Sequence, residues 1–190
     1  MKKEAYYFFA FLSLILSLAF DNRICQIISK LRLVPLNVLF EGITYIGSAI
    51  AFIIMGLCIY FWIKKKKQLI LQLLVGTGIA FCVSYLLKIL IARPRPYITL
   101  NIINLVQHMS HGSFPSMHAA MTFAILPFLI KISKKLQYLW IALACLIAFS
   151  RLYLGVHYLS DIIAGSLIGF ISSSLILKAK LSLKRCNSKK

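Results

Sequence analysis

Hydrophobic positions along the chain are grouped into six long apolar stretches separated by short polar segments. The stretches lie at about residues 5–20, 43–63, 68–91, 116–130, 137–154 and 158–178. Most approach the length of roughly 20 residues that an α-helix needs to cross a bilayer. Several carry the Gly and Ser residues typical of close helix packing in membranes. The pattern predicts an all-α membrane protein, a bundle of six transmembrane helices that forms a single domain over residues 1–190.

The beginning of the chain needs separate interpretation, because two lysines before an apolar run are also typical of a secretory signal peptide. The run at 5–20 ends in Leu18-Ala19-Phe20-Asp21, which is not a small-residue cleavage site, so we interpret it as a membrane span. Residues 24–40 then carry Ile and Leu at helical spacing, interrupted by polar residues and ended by a proline. This pattern predicts a short helix lying in the membrane interface.

Composition supports the membrane interpretation. The chain is 61% hydrophobic with a mean hydropathy of +0.87, well above the roughly half-apolar composition of soluble domains. Its 22 Lys and Arg residues against 4 Asp and Glu residues give a net charge of +18. In a soluble chain such a charge would indicate nucleic-acid binding. Here the basic residues lie between apolar runs, so we expect the bilayer as partner and no nucleic acid.

The basic residues also predict the orientation in the membrane. Most of them fall on one side of a six-span arrangement, in the segments 2–3, 64–67, 131–135 and 178–190. Because cytoplasmic loops are enriched in Lys and Arg, both termini are predicted to be cytoplasmic. Four basic residues on or near the opposite side are not explained by topology: Lys88, Arg93, Arg95 and Arg151.

Three of these cations are predicted to meet at one site. Lys88 lies near the end of the third stretch, Arg95 follows seven residues later between two prolines, and Arg151 ends the fifth stretch. The only acidic residue after Glu41 is Asp161, so internal ion pairs cannot neutralise all three. An external anion can, and phosphate suits best because its oxygens match the donor fork of arginine.

A second group of polar residues begins the fourth stretch. Pro115 is favourable in the first turn of a helix, and a helix that begins there directs the free N–H groups of Ser116 to His118 towards an anion. Ser116 can act as an N-cap and as a hydroxyl donor at the same time. A histidine at the start of a membrane span favours a functional role for His118.

A third group joins the last two stretches. His157 and Asp161 are four residues apart, which places them on one face of a helix. The carboxylate can then keep one imidazole nitrogen protonated and leave the other free to attack. Arg151 reaches the same pocket only if the chain bends near Gly155, a residue whose conformational freedom permits the bend.

Together, the three segments resemble the type-2 phosphatidic acid phosphatase family, whose fold is shared with vanadium haloperoxidases. The family's first motif matches Lys88 and Arg95-Pro96, the second matches Pro115-Ser116-Met117-His118, and the third matches Ser150-Arg151 with His157 and Asp161. Order and spacing both fit, and the motif core covers residues 88–161. One position departs from the family, since Met117 stands where glycine is usual and adds a side chain to the phosphate pocket.

The resemblance implies a mechanism without metal or cofactor. His157 attacks phosphorus to form a phosphohistidine, His118 protonates the departing oxygen, and Asp161 orients His157. The residues implied to bind the phosphate are Lys88, Arg95, Ser116, Met117 and Arg151.

The implied substrate is a phosphomonoester or diphosphate of a membrane lipid. The chain has few polar residues to bind a glycerol headgroup and no extra soluble domain, which favours a polyprenyl diphosphate. Phosphatidic acid and phosphatidylglycerol phosphate are the alternatives. By the predicted topology, the reaction occurs on the extracytoplasmic side of the cell membrane.

Other functions share some of these residues. A lipid-phosphate transporter or binding protein needs the cations but not the histidines, and phosphotransfer to another acceptor needs every residue. A metal site of His111, His118, His157 and Asp161 is disfavoured because three cations surround it. A haloperoxidase is disfavoured because haloperoxidases of this fold are soluble.

Overall fold

The computed structural model describes residues 2–103, 105–106 and 112–179, with the side chains at 2–11, 50–52, 55 and 59 left out. All regular structure in these residues is helical. The helices are α1 (Lys2–Lys30), α2 (Val34–Ser48), α3 (Ile50–Ile63), α4 (Lys67–Ile91), α5 (Pro96–Thr99), α6 (Met117–Leu129), α7 (Lys134–Tyr153) and α8 (Leu159–Lys178).

Four segments in the described part of the chain are long and apolar enough to cross a membrane. They lie in α1, α4 with its extension to Thr99, α7 and α8. Helix α6 is apolar but shorter, and the predicted span at 43–63 is divided between α2 and α3. Six unbroken spans are therefore not observed, although α4, α7 and α8 begin and end within three residues of the predicted boundaries.

Two predictions near the beginning of the chain are wrong. Helix α1 continues without interruption to Lys30, so residues 24–30 are not part of a separate interfacial helix. Pro35 does not end a helix as predicted, because helix α2 begins at Val34 and has Pro35 in its first turn. Backbone N–H groups in the first turn have no partner within the helix, so a proline there costs no hydrogen bond. Hydropathy misplaced the end of α1 because polar residues beyond position 20 have partners elsewhere in the fold, as described below for Asp21.

Helices α4, α6 and α8 pack together at the centre of the bundle. Gly165 and Gly169 lie one turn apart on α8, and a Cβ at either position would collide with the backbone carbonyl oxygen of Ser116 or Ala120 on α6. Small residues four apart are the usual means by which two membrane helices approach closely. This contact brings the first turn of α6 against the first turns of α8.

Side-chain hydrogen bonds join α7 to α6, and join α4 to the end of α8. Trp140 Nε1 on α7 donates to the carbonyl of Thr122 on α6 at 2.8 Å. Gln72 Nε2 on α4 donates to the carbonyls of Ile176 and Ala179, at 3.0 and 2.9 Å, at the end of α8. The alternating chain direction places the ends of α4 and α7 beside the beginnings of α6 and α8. The basic segments 64–67 and 131–135 lie at the other end, and residues 180–190 lie outside the described part of the chain.

Candidate active site

Two of the predicted phosphate-binding cations meet at one backbone carbonyl. Lys88 Nζ, at the end of α4, donates to the carbonyl oxygen of Gly112 at 2.8 Å, and Arg95 Nη2 donates to the same oxygen at 3.3 Å. Arg95 Nη1 also donates to the carbonyl of Val156 at 2.9 Å, directly before His157. Both side chains are buried. Like charges held together out of water are unfavourable unless an anion is near, so this arrangement of Lys88 and Arg95 favours an anionic ligand.

Arg151 reaches the same end of the bundle from the last turn of α7 and is completely buried. The chain reverses directly after it, through Gly155 with φ +76°. His157 lies in this connection, and its backbone N–H donates to the carbonyl of Arg151 at 3.3 Å. The structure thus has the turn at Gly155 that the sequence required to bring Arg151 and His157 together.

His157 and Asp161 face each other, although not along one helix as predicted. Helix α8 begins at Leu159, so His157 precedes it and Asp161 lies in its first turn. His157 Nδ1 is 3.5 Å from Asp161 Oδ2, longer than an ordinary hydrogen bond. Catalytic hydrogen bonds are often long before substrate binds. Since Nδ1 faces the carboxylate, Nε2 is the nitrogen that remains available to a ligand.

The surroundings of His157 keep its imidazole neutral. Burial lowers its pKa well below 6.5, and the cations Arg95, Arg151 and Lys88 lower it further, while the nearby backbone of Ser113 opposes this effect only in part. A neutral imidazole retains the lone pair that a nucleophile needs. The same three cations that favour an anion therefore also favour the reactive form of His157.

The first turn of α6 adds donors to this site. Ser116 is the N-cap residue, its N–H donates to the backbone carbonyl of Asp161 at 2.9 Å, and its buried hydroxyl has no hydrogen-bond partner among the described residues. A buried hydroxyl without a partner is unfavourable. A bound phosphate oxygen at this helix N-terminus would provide that partner.

His118 lies one turn into α6, against the end of α2. Its Nε2 is 3.2 Å from the hydroxyl oxygen of Ser48. A Cβ on Gly47 would come 2.9 Å from His118 Cδ2, so only glycine leaves room for the ring there. The sequence contains no local signal for Ser48, because its partner lies 70 residues away.

An apolar cavity of about 390 Å³ lies beside His118. Met117 lines it, together with Ser48, Phe81 on α4 and Met121 on α6. Met117 is the first residue of α6, the helix start that the sequence predicts to bind phosphate. It also lines the apolar cavity beside His118.

A second network of charged side chains binds the Asp161 oxygen that does not face His157. Arg93 donates through Nη1 to Asp161 Oδ1 at 2.9 Å and through Nη2 to Asp21 Oδ2 at 2.9 Å. The sequence marked Arg93 as a cation that topology does not explain, but assigned it no role. It also missed Asp21 as a partner, although an acidic side chain in a membrane helix is itself a signal of function. Asp21 and Asp161 therefore both form ion pairs with Arg93.

The alternative metal site includes His111, which the structure does not describe. His111 and its neighbours 107–110 lie outside the described residues. Among the residues that are described, no three His, Cys, Asp or Glu side chains form a group that could hold a metal ion.

Comparison with known proteins identifies the family. The model of the PAP2 superfamily matches residues 69–184, which include every motif residue named above. The chain belongs to the PAP2 superfamily, and the resemblance drawn from its motifs is confirmed.

Two curated relatives and two solved structures define the neighbourhood within that family. The chain is 30% identical to the bacitracin transport permease protein BcrC of Bacillus licheniformis over 66% of its length, and 30% identical to the putative undecaprenyl-diphosphatase YbjG of Escherichia coli over 66%. The aligned regions span 63% and 66% of those relatives, slightly less than two thirds.

The structural matches extend further. A crystal structure of Aquifex aeolicus LpxE is 30% identical, covers 84% of this chain and 96% of its own, and has a TM-score of 0.74. A PAP2-type phosphatidylglycerolphosphate phosphatase from Bacillus subtilis is 28% identical, covers 93% and 97%, and has a TM-score of 0.71. With the apolar helices described above, these matches confirm an all-α integral membrane protein.

Proposed function

We propose that this chain is a lipid phosphatase that hydrolyses a polyprenyl diphosphate. The observation that carries the proposal is the buried His157, which faces Asp161 and has the cations Lys88, Arg95 and Arg151 around it. A nucleophile surrounded by cations at the end of an apolar bundle is suited to a phosphate attached to a membrane lipid. The undecaprenyl-diphosphatase name of the E. coli relative supports the polyprenyl substrate.

In the proposed reaction, His157 Nε2 attacks the terminal phosphorus and the bond from phosphorus to the bridging oxygen breaks. His118 donates a proton to that oxygen, and the lipid monophosphate leaves. Water then attacks the phosphohistidine and gives a proton to His118 while the bond from phosphorus to His157 Nε2 breaks. Inorganic phosphate leaves, and both histidines return to their starting forms.

The remaining site residues act on charge and orientation. Asp161 stabilises the positive imidazole ring that the attack produces. The equatorial oxygens are bound by Lys88, Arg95, Arg151, the Ser116 hydroxyl and the backbone N–H groups at Ser116 and Met117.

We further propose that the chain is a single domain that crosses the membrane six times. Helices α2 and α3 together form one broken crossing, and the short α6 forms another. The basic segments at the end opposite to the site support cytoplasmic termini and an extracytoplasmic active site.

Two other functions have specific support. The phosphatidylglycerolphosphate phosphatase of B. subtilis shares the fold over most of both chains, which favours phosphatidylglycerol phosphate as an alternative substrate. The permease name of the B. licheniformis relative favours a transporter, and in this chain the buried cations Lys88, Arg95 and Arg151 would be the groups that bind lipid phosphate without hydrolysis. Only the transporter would function without His157 as a nucleophile.

Phosphate release by purified protein in detergent separates these possibilities. The substrates are a polyprenyl diphosphate, phosphatidylglycerol phosphate and phosphatidic acid, each with a chelator present. Wild type is compared with His157→Ala and with Cys145→Ala, a control at an exposed position on α7. We expect chelator-resistant release, fastest from the polyprenyl diphosphate, that is lost only in His157→Ala.

Each other outcome has a definite meaning. Faster release from phosphatidylglycerol phosphate would replace the substrate but keep the mechanism. Binding of all three lipids without any release would favour the transporter. Release that survives in His157→Ala would exclude the phosphohistidine.

A further inference from the structure

Asp21 is a buried carboxylate in α1, and its side chain has several partners. It is 1% exposed. Its Oδ1 accepts the backbone N–H of Ser160 at 2.9 Å, and its Oδ2 accepts Arg93 Nη2 at 2.9 Å and contacts the hydroxyl of Ser160. Charged groups are rare inside membrane proteins, and those that occur mark functional sites more often than structural ones.

Arg93 connects this carboxylate to the nucleophile's partner. Its Nη1 donates to Asp161 Oδ1 at 2.9 Å and to the Ser160 hydroxyl at 2.7 Å. The guanidinium also lies 3.9 Å above the ring of Tyr158. It is therefore held by Asp21, by α8 and by an aromatic face, and can hardly move without disturbing Asp161.

The two carboxylate oxygens of Asp161 have different partners. One oxygen, Oδ1, binds Arg93, while the other, Oδ2, accepts the backbone N–H of Tyr158 at 2.9 Å and faces His157 Nδ1. Because Asp21 occupies the second amino group of Arg93, the guanidinium does not compete for Oδ2. That oxygen remains directed at His157.

We infer that Asp21 is a positioning residue for His157, acting through Arg93 and the first turn of α8; this inference rests on the proposed function. When His157 attacks, its ring becomes positive, and Asp161 must compensate that charge. Without the carboxylate of Asp21, Arg93 would pair with Asp161 alone. The negative charge of Asp161 would then be neutralised by the guanidinium of Arg93 and would stabilise the positive ring of His157 less. Attack then slows, whereas Lys88, Arg95 and Arg151 still bind the phosphate.

This role extends the site beyond the residues that define the family match. The family model begins at residue 69, whereas Asp21 lies on α1. The first helix would thus contribute to the chemistry as well as to the membrane anchor.

The test compares Asp21→Asn with Ser17→Ala. Asparagine keeps the shape and an acceptor for Ser160 but removes the charge. Ser17 lies one turn earlier on α1, is equally buried and bonds only the carbonyl of Leu14 on its own helix among the contacts described. For Asp21→Asn we expect kcat to fall about 10- to 100-fold, as for a displaced catalytic group, with KM changed less than about twofold. Ser17→Ala should leave both constants unchanged.

Two more variants distinguish positioning from loss of structure. Asp21→Glu restores the charge and should recover part of kcat. Combining Asp21→Asn with Arg93→Lys should cost no more than Arg93→Lys alone, because both changes break the same connection. If Asp21→Asn does not give monodisperse protein, Arg93→Lys alone carries the same expectation of lower kcat at constant KM.

The inference fails if wild type is active and Asp21→Asn has the same kcat. It also fails if KM rises together with the fall in kcat, or if Asp21→Glu recovers nothing, since either result indicates a structural role. Absence of phosphate release in wild type would instead remove the proposed function, and this inference with it.

Discussion

The guanidinium of Arg32 and the backbone of Gly155 are in close contact at the end of the bundle that carries the candidate site. A Cβ on Gly155 would come 2.5 Å from Arg32 Nη2. Arg32 Nε donates to the carbonyl of Tyr153 at 2.8 Å, so the segment after α1 holds the turn between α7 and α8. Arg32, a residue far from the motifs, therefore contacts the turn that brings Arg151 and His157 to the same end of the bundle.

Gly155→Ala tests that contact. Alanine at φ +76° is strained by about 1–3 kcal/mol, and its Cβ must displace Arg32 as well. We expect a lower thermal unfolding temperature in detergent and reduced phosphate release. Gly42→Ala is the matched control, because a Cβ there meets nothing within 4 Å. Equal behaviour of the two variants would contradict this account of the turn.

Ser48→Ala tests how His118 is oriented. Loss of one hydrogen bond of about 0.5–1.5 kcal/mol should lower kcat about two- to tenfold without changing the affinity for the lipid. Steady-state kinetics on the polyprenyl diphosphate measure this. Ser29→Ala is the control, since that exposed hydroxyl bonds only Gln26 of its own helix among the contacts described. A normal kcat in Ser48→Ala would mean that Gly47 and packing alone hold the ring.

Met117→Gly tests the one departure from the family motif. Removing the side chain should widen the cavity beside His118, which Met117 lines with Phe81 and Met121. We expect kcat/KM for a two-chain lipid such as phosphatidic acid to rise relative to that for a polyprenyl diphosphate. Met121→Leu, which conserves volume, should leave the ratio unchanged. A ratio that is the same in all three proteins would show that Met117 does not select the lipid.

The protonation of His157 gives a prediction that does not depend on substrate. Burial lowers the pKa of His157, and the cations Arg95, Arg151 and Lys88 lower it further; the carboxylate of Asp161 is the one anion that faces the ring among the described residues. Because its pKa is lowered, the ring stays neutral as the pH falls past 6.5 and gains a proton only at lower pH. NMR titration of imidazole-labelled protein, with His157→Ala to assign the signal, should show no change for His157 between pH 6 and 8. A midpoint near 6.5 would contradict the buried, cation-rich site.

Several elements could be predicted from the sequence because their determinants are local. The apolar runs that became α7 and α8 are bounded by lysines and by the connection that contains Gly155, and hydropathy alone locates them closely. Motif spacing likewise predicted that Arg151 and His157 need a turn at Gly155. The end of α1 was predicted wrongly because the charged Asp21 interrupts the apolar run and so indicates the end of a span. Its partners Arg93 and Ser160, which allow it to lie inside the bundle, are far away in the sequence.

The sequence by itself determined that the chain is an apolar helical protein whose basic residues are grouped between apolar runs, and it predicted a phosphate-binding set of cations and histidines. Periodicity, hydropathy and motif spacing are properties of neighbouring residues, so one chain is enough to detect them. Only the tertiary structure decided which carboxylate binds Arg93, which hydroxyl meets His118 and where α2 and α3 divide. Those contacts join residues 70 or more positions apart, and they depend on how helices cross, which local sequence does not encode.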